Sequence, residues 1–276
     1  MRSSNRPRKR RRADGFSVFA IVVALLVILF ISSAIFSIAL GGAPGFFENL
    51  RSQELRFALR LSVLTSTIST ALVMLLALPT AYALTRTGMP LKRLSSLIIE
   101  LTLSLPFILL GLALLIMFSS PLGKWLKAQG FAVVFSPAGI VMAHLLVNLP
   151  YAVRLVKTAF EDSDLRLEFI AETLGASRFR SFLSVLLPLC RSGIVSTAIL
   201  TWSRAMGEFG ATLMLVGITR MKTETLPGSI YLSISTGRND AAMSTAVLML
   251  LISGAALFLS QLAAGRRRGR KRVERR

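Results

Sequence analysis

Cysteine and histidine are nearly absent from this sequence: Cys190 and His144 stand alone among 276 residues. One cysteine excludes an internal disulfide and a cysteine-built zinc site, and one histidine cannot make a metal centre by itself. No G-x-x-x-x-G-K-[ST], H-E-x-x-H or G-x-S-x-G occurs, so the phosphate loop, the zinc protease pair and the esterase nucleophile all lack their residues. Ten-residue segments of alternating polarity, the mark of a membrane β-barrel, are missing. The two halves show no repeat of the kind on which many secondary transporters are built. Acidic side chains are few, 13 against 33 Lys and Arg, a net charge of +20. No nucleophile, acid and base cluster together, so the chain reads as one without catalytic residues or a cofactor of its own.

What the chain has is apolar length. It is 53% hydrophobic, with a mean hydropathy of +0.65. A hydrocarbon core about 30 Å thick needs roughly 20 apolar residues at 1.5 Å rise per residue. Six runs meet that length, near residues 16–40, 57–85, 94–118, 134–156, 186–217 and 241–264. The first follows a basic start, as a signal peptide would. It is longer than a signal h-region, however, and no small-residue cleavage site precedes the loop "FFENLRSQELR", so it reads as a span. The expected fold is therefore an all-α integral membrane protein of six transmembrane helices, occupying 16–264. Pro79 and Pro106 predict kinks in their spans.

Position explains the excess of positive charge. Lys and Arg number 7 in residues 1–15, 3 in 86–93, 5 in 154–180 and 8 in 265–276, against 2, 2 and 3 in the alternate loops 41–56, 119–136 and 218–240. A split of 23 to 7 follows the positive-inside rule and puts both termini in the cytoplasm of a multi-pass cell-membrane protein. The tails at 1–15 and 265–276, with "RPRKRRR" and "GRRRGRKRVERR", suit anionic membrane lipid rather than nucleic acid.

Between the fourth and fifth runs lies the cytoplasmic loop 161–188, with "EFIAETLGASRFRSFLSVLLP" at its centre. Ser163 or Asp164 can cap a short helix whose Leu165, Phe169, Ile170 and Leu174 make an apolar stripe. Gly175 suits the left-handed residue that ends it, and Ser177 can cap the next helix, which runs toward Pro188. Such an amphipathic helix either rests in the lipid interface or docks its apolar face in another protein's groove. In the fifth run, Arg204 and Glu208 are four residues apart inside apolar surroundings, where each unpaired charge costs about 2.5–3.5 kcal/mol on insertion scales. They are expected to face the bundle interior as an ion pair on one helix face, or with Arg204 also bordering an anion's path. Gly207 and Gly210 flank Glu208 and permit close helix approach. His144 and Asn148 share a face of the fourth span, where hydrogen-bonded packing is the expected role.

The loop resembles the EAA loop of ABC importer permeases, in which E-A-A is followed by three residues, glycine, nine residues and I-x-L-P. Ala171, Gly175, Val185, Leu187 and Pro188 fall at that spacing, while Phe169 and Ile170 replace the Glu and first Ala. The resemblance implies a coupling helix that contacts the ATP-hydrolysing subunit through Glu168, Phe169, Ile170, Ala171, Glu172, Leu174, Gly175, Ala176 and Arg178. A second stretch, "WSRAMGEFGATLMLVG" with "TRMKTETLPGSIYLSISTG" after it, is similar to the fifth span and outer loop of molybdate and tungstate permeases, relatives of the sulfate permeases. That likeness implies a type I importer permease with an added first span and makes Arg204, Gly207, Glu208, Phe209 and Gly210 pathway or gate candidates. It further implies a homodimer, two copies of an ATP-binding cassette subunit that bind the ATP and Mg, and an extracytoplasmic oxyanion-binding protein. A sulfate or thiosulfate permease is the nearest alternative, and a secondary anion transporter a more distant one.

Overall fold

The apolar runs become helices whose ends are set by caps, glycines and prolines. A computed structural model of the chain describes residues 15–273, with side chains as far as residue 263. The basic segments 1–14 and 274–276 lie outside the described residues, as do the side chains of 264–273. In chain order the helices are α1 (Gly15–Gly42), α2 (Phe46–Leu50), α3 (Gln53–Arg86), α4 (Lys92–Ser104), α5 (Phe107–Ser119), α6 (Pro121–Ala128) and α7 (Pro137–Glu161). They continue with α8 (Leu165–Thr173), α9 (Arg178–Ser181), α10 (Leu187–Met206), α11 (Gly210–Val216), α12 (Leu226–Ser235) and α13 (Asn239–Val273). Among the described residues there is no strand.

Five helical stretches are long and apolar enough to cross a membrane unaided: α1, α3, α7, residues 178–206 and α13 as far as Ala263. The expected span at 94–118 is divided. α4 and α5 meet at 111° across Leu105 and Pro106, and together they would make a sixth crossing. Pro106 offers no N–H to the preceding turn and drives Leu105 out of helical geometry, to φ −75 and ψ 141. The expected kink is thus a full break. Pro79, by contrast, lies within the unbroken α3.

The expected span at 186–217 is corrected at both ends. Helical structure begins at Arg178 and passes through Pro188 without an exit, because residues 182–186 form a π turn. The wider turn accommodates the ring and absent N–H of proline, which a regular α-helix would resist. At the other end α10 stops at Met206, and α11 begins only at Gly210. α11 packs on α5 and α7.

Helices α3 and α7 run side by side in the same direction, since Ser69 meets His144 and Arg86 meets the end of α7 at Phe160. The buried side of α3 carries Ser62, Thr65, Ser66, Ser69 and Thr70 at helical spacing. Thr65 Oγ1 donates to Leu61 O at 2.8 Å and Ser69 Oγ to Ser66 O at 3.1 Å, so these two satisfy themselves on their own helix, and the small side chains permit close packing where lipid offers no hydrophobic drive. Apolar clusters fill the rest, one joining α5, α7 and α11 through Leu110, Ile140 and Leu215, another joining α3, α7 and α10 through Ala81, Val156 and Cys190. α1 stands apart, its apolar side chains exposed until the final turn. There Gly42 is buried so closely on α13 that a Cβ would collide with the Met243 backbone and Val247.

Candidate functional site

Two places bring together the residues singled out in the sequence: the loop between α7 and α10, and the break between α10 and α11. In the loop, Asp164 caps α8 by accepting from Arg166 N at 3.0 Å. The helix ends in two bonds, Ala176 N to Ala171 O and Gly175 N to Glu172 O, both 3.0 Å, with Gly175 at φ +91. This is the Schellman arrangement that glycine adopts without a Cβ clash. Ser177 then accepts from Arg180 N at 3.3 Å and caps α9, so a four-residue turn separates two capped helices.

The loop is fastened from behind. Arg86, the last residue of α3, donates from Nε to Glu168 Oε1 at 2.9 Å. Its Nη2 donates to Phe160 O at 2.7 Å and to Ser163 Oγ at 2.8 Å. One guanidinium therefore ties together the ends of α3 and α7, the turn after α7, and α8. Glu168 is only 6% exposed. It was expected among the docking residues and instead faces the chain's own interior, because a buried Arg86 requires an anion within reach. The docking face consists of its neighbours: Phe169 is 72%, Leu174 83% and Phe179 71% exposed, with Ile170 exposed beside them. Arg178 is exposed, while Ala171, Glu172 and Ala176 are half-buried. Behind this face, Phe182 of the π turn meets Tyr82 and Phe160 edge-on at 5.0 and 6.4 Å.

At the helix break, Glu208 serves the chain's own backbone. Its Oε1 accepts from Ala211 N at 2.7 Å, and its Oε2 accepts from Thr212 N at 3.0 Å and from the Thr212 hydroxyl. The first N–H groups of α11 have no helical partner, and a carboxylate is the strongest acceptor for them. The expected ion pair between Arg204 and Glu208 is consequently not formed. The i, i+4 relation needs a continuous helix, and α10 ends between the two residues. Arg204 lies instead over two aromatic rings, its Cζ 4.8 Å from the centre of Phe107 and 4.9 Å from that of Tyr151.

The two glycines differ. A Cβ on Gly210 would lie 3.3 Å from Ile108 N, and one on nearby Gly111 would lie 2.5 Å from Ala211 O, so α5 and α11 touch backbone to backbone. Gly207 is exposed, and a Cβ there would meet nothing nearer than 3.9 Å; its expected packing role does not hold. Phe209 stacks obliquely on Tyr231 at 5.5 Å. His144 and Asn148 are buried; Asn148 Nδ2 donates to His144 O at 2.9 Å, while His144 Nε2 and Asn148 Oδ1 meet no hydrogen-bond partner among the described residues.

The stretch "MKTETLP" builds a turn. Thr223 Oγ1 accepts from Thr219 N at 3.0 Å, Glu224 Oε2 accepts from Met221 N at 3.2 Å, and Thr225 caps α12. Leu226 N then donates to Ser62 Oγ on α3 at 2.8 Å. Sequence reasoning missed Arg86, counted only as a loop charge, and Phe107 and Tyr151, which look like ordinary apolar-span residues. A carboxylate inside an apolar loop stripe was the one signal pointing to a buried cation nearby.

Residues 74–270 match the family described as binding-protein-dependent transport system inner membrane component. The molybdenum transport system permease protein ModB of Mycobacterium tuberculosis is 36% identical over 233 residues, 83% of this chain and 88% of that protein. The sulfate transport system permease protein CysW of Synechocystis is 30% identical over 246 residues, 88% and 89% of the two chains. Among solved structures, a bacterial alginate ABC transporter in complex with its alginate pentasaccharide-bound periplasmic protein superimposes with a TM-score of 0.69 at 14% identity, covering 89% of this chain and 92% of that one. The architecture is that of a type I ABC importer permease.

Proposed function

The chain belongs to the family of binding-protein-dependent transport system inner membrane components, and on that premise we propose that two copies of it form the membrane path for a tetrahedral oxyanion of the molybdate and tungstate type. It is an ABC importer permease subunit, with ATP hydrolysis carried by separate subunits. Two copies of the ATPase would each receive one loop of residues 161–188, and an extracytoplasmic binding protein would deliver the anion. Both termini would lie in the cytoplasm, as the distribution of Lys and Arg favours.

The observation that carries this reading is the loop's division into two faces. Phe169, Ile170, Leu174 and Phe179 offer an exposed apolar surface, while Glu168 fixes the same helix to the end of α3 through Arg86. A surface meant only to rest in lipid needs no buried charged tether. A surface that must pass displacement from a partner into the bundle needs a stiff attachment, and the helix from Arg178 to Met206 leads from this loop to the break at Gly207. In this reading Phe169, Ile170, Leu174 and Arg178 touch the ATPase, Ala171, Glu172, Gly175 and Ala176 shape the helix end that presents them, and Gly207 to Gly210 border the path.

The molybdate assignment is supported by the 36% identity to ModB across 83% of the chain. The 30% identity to CysW makes sulfate the second reading. Calorimetric titration of the partner binding protein with molybdate, tungstate and sulfate separates them. Saturable binding of the first two with sulfate inert is the expected result; binding of sulfate alone transfers the assignment to sulfate.

A further inference from the structure

Arg204, in the last turn of α10, carries a charge in a helical stretch apolar enough to cross a membrane. Among the described residues the ion pairs are Arg86–Glu168, Lys157–Glu161, and Glu54 with both Arg220 and Arg238. Arg204 takes part in none, makes no hydrogen bond, and keeps its buried Nε without an acceptor. The nearest acid in sequence, Glu208, attracts Arg204 through space without pairing with it, because both its oxygens are occupied by α11. The rings of Phe107 and Tyr151 approach the guanidinium from α5 and α7. Aromatic faces hold a cation in place and strip water from it without cancelling its charge. A planar guanidinium retains five N–H donors in a fixed fork, the geometry that suits two oxygens of one anion.

We propose that Arg204, clamped by Phe107 and Tyr151 beside the break at Gly207, is the counter-charge that receives the translocating dianion. The inference rests on the oxyanion reading above and adds to it the residue that sets selectivity for charge. With two copies forming the path, two such guanidiniums supply the two positive charges that one tetrahedral dianion requires. The clamp also limits the affinity. The guanidinium is already partly stabilised by its rings, so the anion need not be trapped on its way through.

The test uses the complete transporter, reconstituted with its ATPase subunits and binding protein in lipid vesicles, with molybdate as the probe. Arg204→Met preserves apolar packing on the two rings and removes the charge, whereas Arg204→Lys keeps the charge. If Arg204 serves the anion, the Met variant loses maximal uptake roughly tenfold or more at unchanged half-saturation, because half-saturation is set at the binding protein, and the Lys variant recovers part of the rate. If Arg204 only packs, Met transports and Lys does not, which overturns the proposal. A wild-type measurement covers variants that fail to assemble: mass spectrometry of arginine modification by phenylglyoxal in the intact complex. Molybdate should slow modification of Arg204 and leave Arg191 unaffected; equal rates with and without molybdate overturn the proposal. Absence of molybdate uptake by the wild-type transporter would instead reject the oxyanion reading on which the inference stands.

Discussion

Arg86 Nε lies 2.9 Å from Glu168 Oε1, with both side chains buried, so the last residue of one spanning helix holds the inner face of the loop helix. Removing one member of a buried pair strands the other charge at a cost of about 3–5 kcal/mol. Glu168→Gln is therefore expected to free α8 from α3, raising amide hydrogen exchange across residues 165–181 and lowering co-purification of the ATPase. Exchanging the two residues restores little, because Arg86 also donates to Phe160 O and Ser163 Oγ, which a glutamate at that position cannot replace.

Gly175 sits at φ +91 with open space around it, so a side chain there meets a conformational penalty and no collision. Gly175→Val is expected to cost about 1–3 kcal/mol and to misdirect α8. Gly175→Asn, which tolerates positive φ better, is expected to retain most of the function. Uptake and ATPase co-purification should fall for Val and hold for Asn, with expression unchanged in both.

Phe169 is exposed in the isolated chain, and its removal should leave folding intact. Truncation of a buried interface aromatic costs about 2 kcal/mol or more. Phe169→Ala is thus expected to weaken ATPase binding by roughly 30-fold, measured by titrating detergent-purified chain with the ATPase subunit, while the thermal unfolding midpoint stays where it was.

The crossing of α5 and α11 leaves no room for a methyl group at Gly111, where a Cβ would lie 2.5 Å from Ala211 O, whereas Gly207 faces open space. Gly111→Ala is expected to lower the thermal unfolding midpoint and the yield of folded chain. Gly207→Ala is expected to do neither. Size-exclusion profiles and thermal unfolding in detergent read both.

If the bent pair α4 and α5 makes one crossing, the connections on either side of it lie on opposite sides of the membrane. Reporter fusions ending after residue 88 and at the C-terminus are expected to report the cytoplasm, and a fusion ending after residue 130 the exterior. A shared side for 88 and 130 would leave five crossings.

The sequence made the spanning helices and the loop legible, because both depend on local signals: apolar length, the Asp164 and Ser177 caps, and a glycine at Gly175 where positive φ is required. The breaks were harder to see. Pro106 announced a bend, but its 111° depends on how α4 and α5 pack against their neighbours. The end of α10 at Met206 depends on Glu208 turning forward to α11, a choice between two partners four residues apart on either side that periodicity cannot decide. The Arg86 contact spans 82 residues, and the rings over Arg204 come from two other helices. Pairings that distant in sequence leave no trace in local pattern.

The central claim is that this chain imports a molybdate-type oxyanion with energy supplied by a separate ATPase, and radiolabelled molybdate uptake into reconstituted vesicles tests it most directly. Accumulation is expected only when the chain, the ATPase subunit with ATP, and the binding protein are all present, with tungstate competing and sulfate not. Accumulation driven by an ion gradient without the ATPase, or uptake of sulfate with none of molybdate, would contradict it.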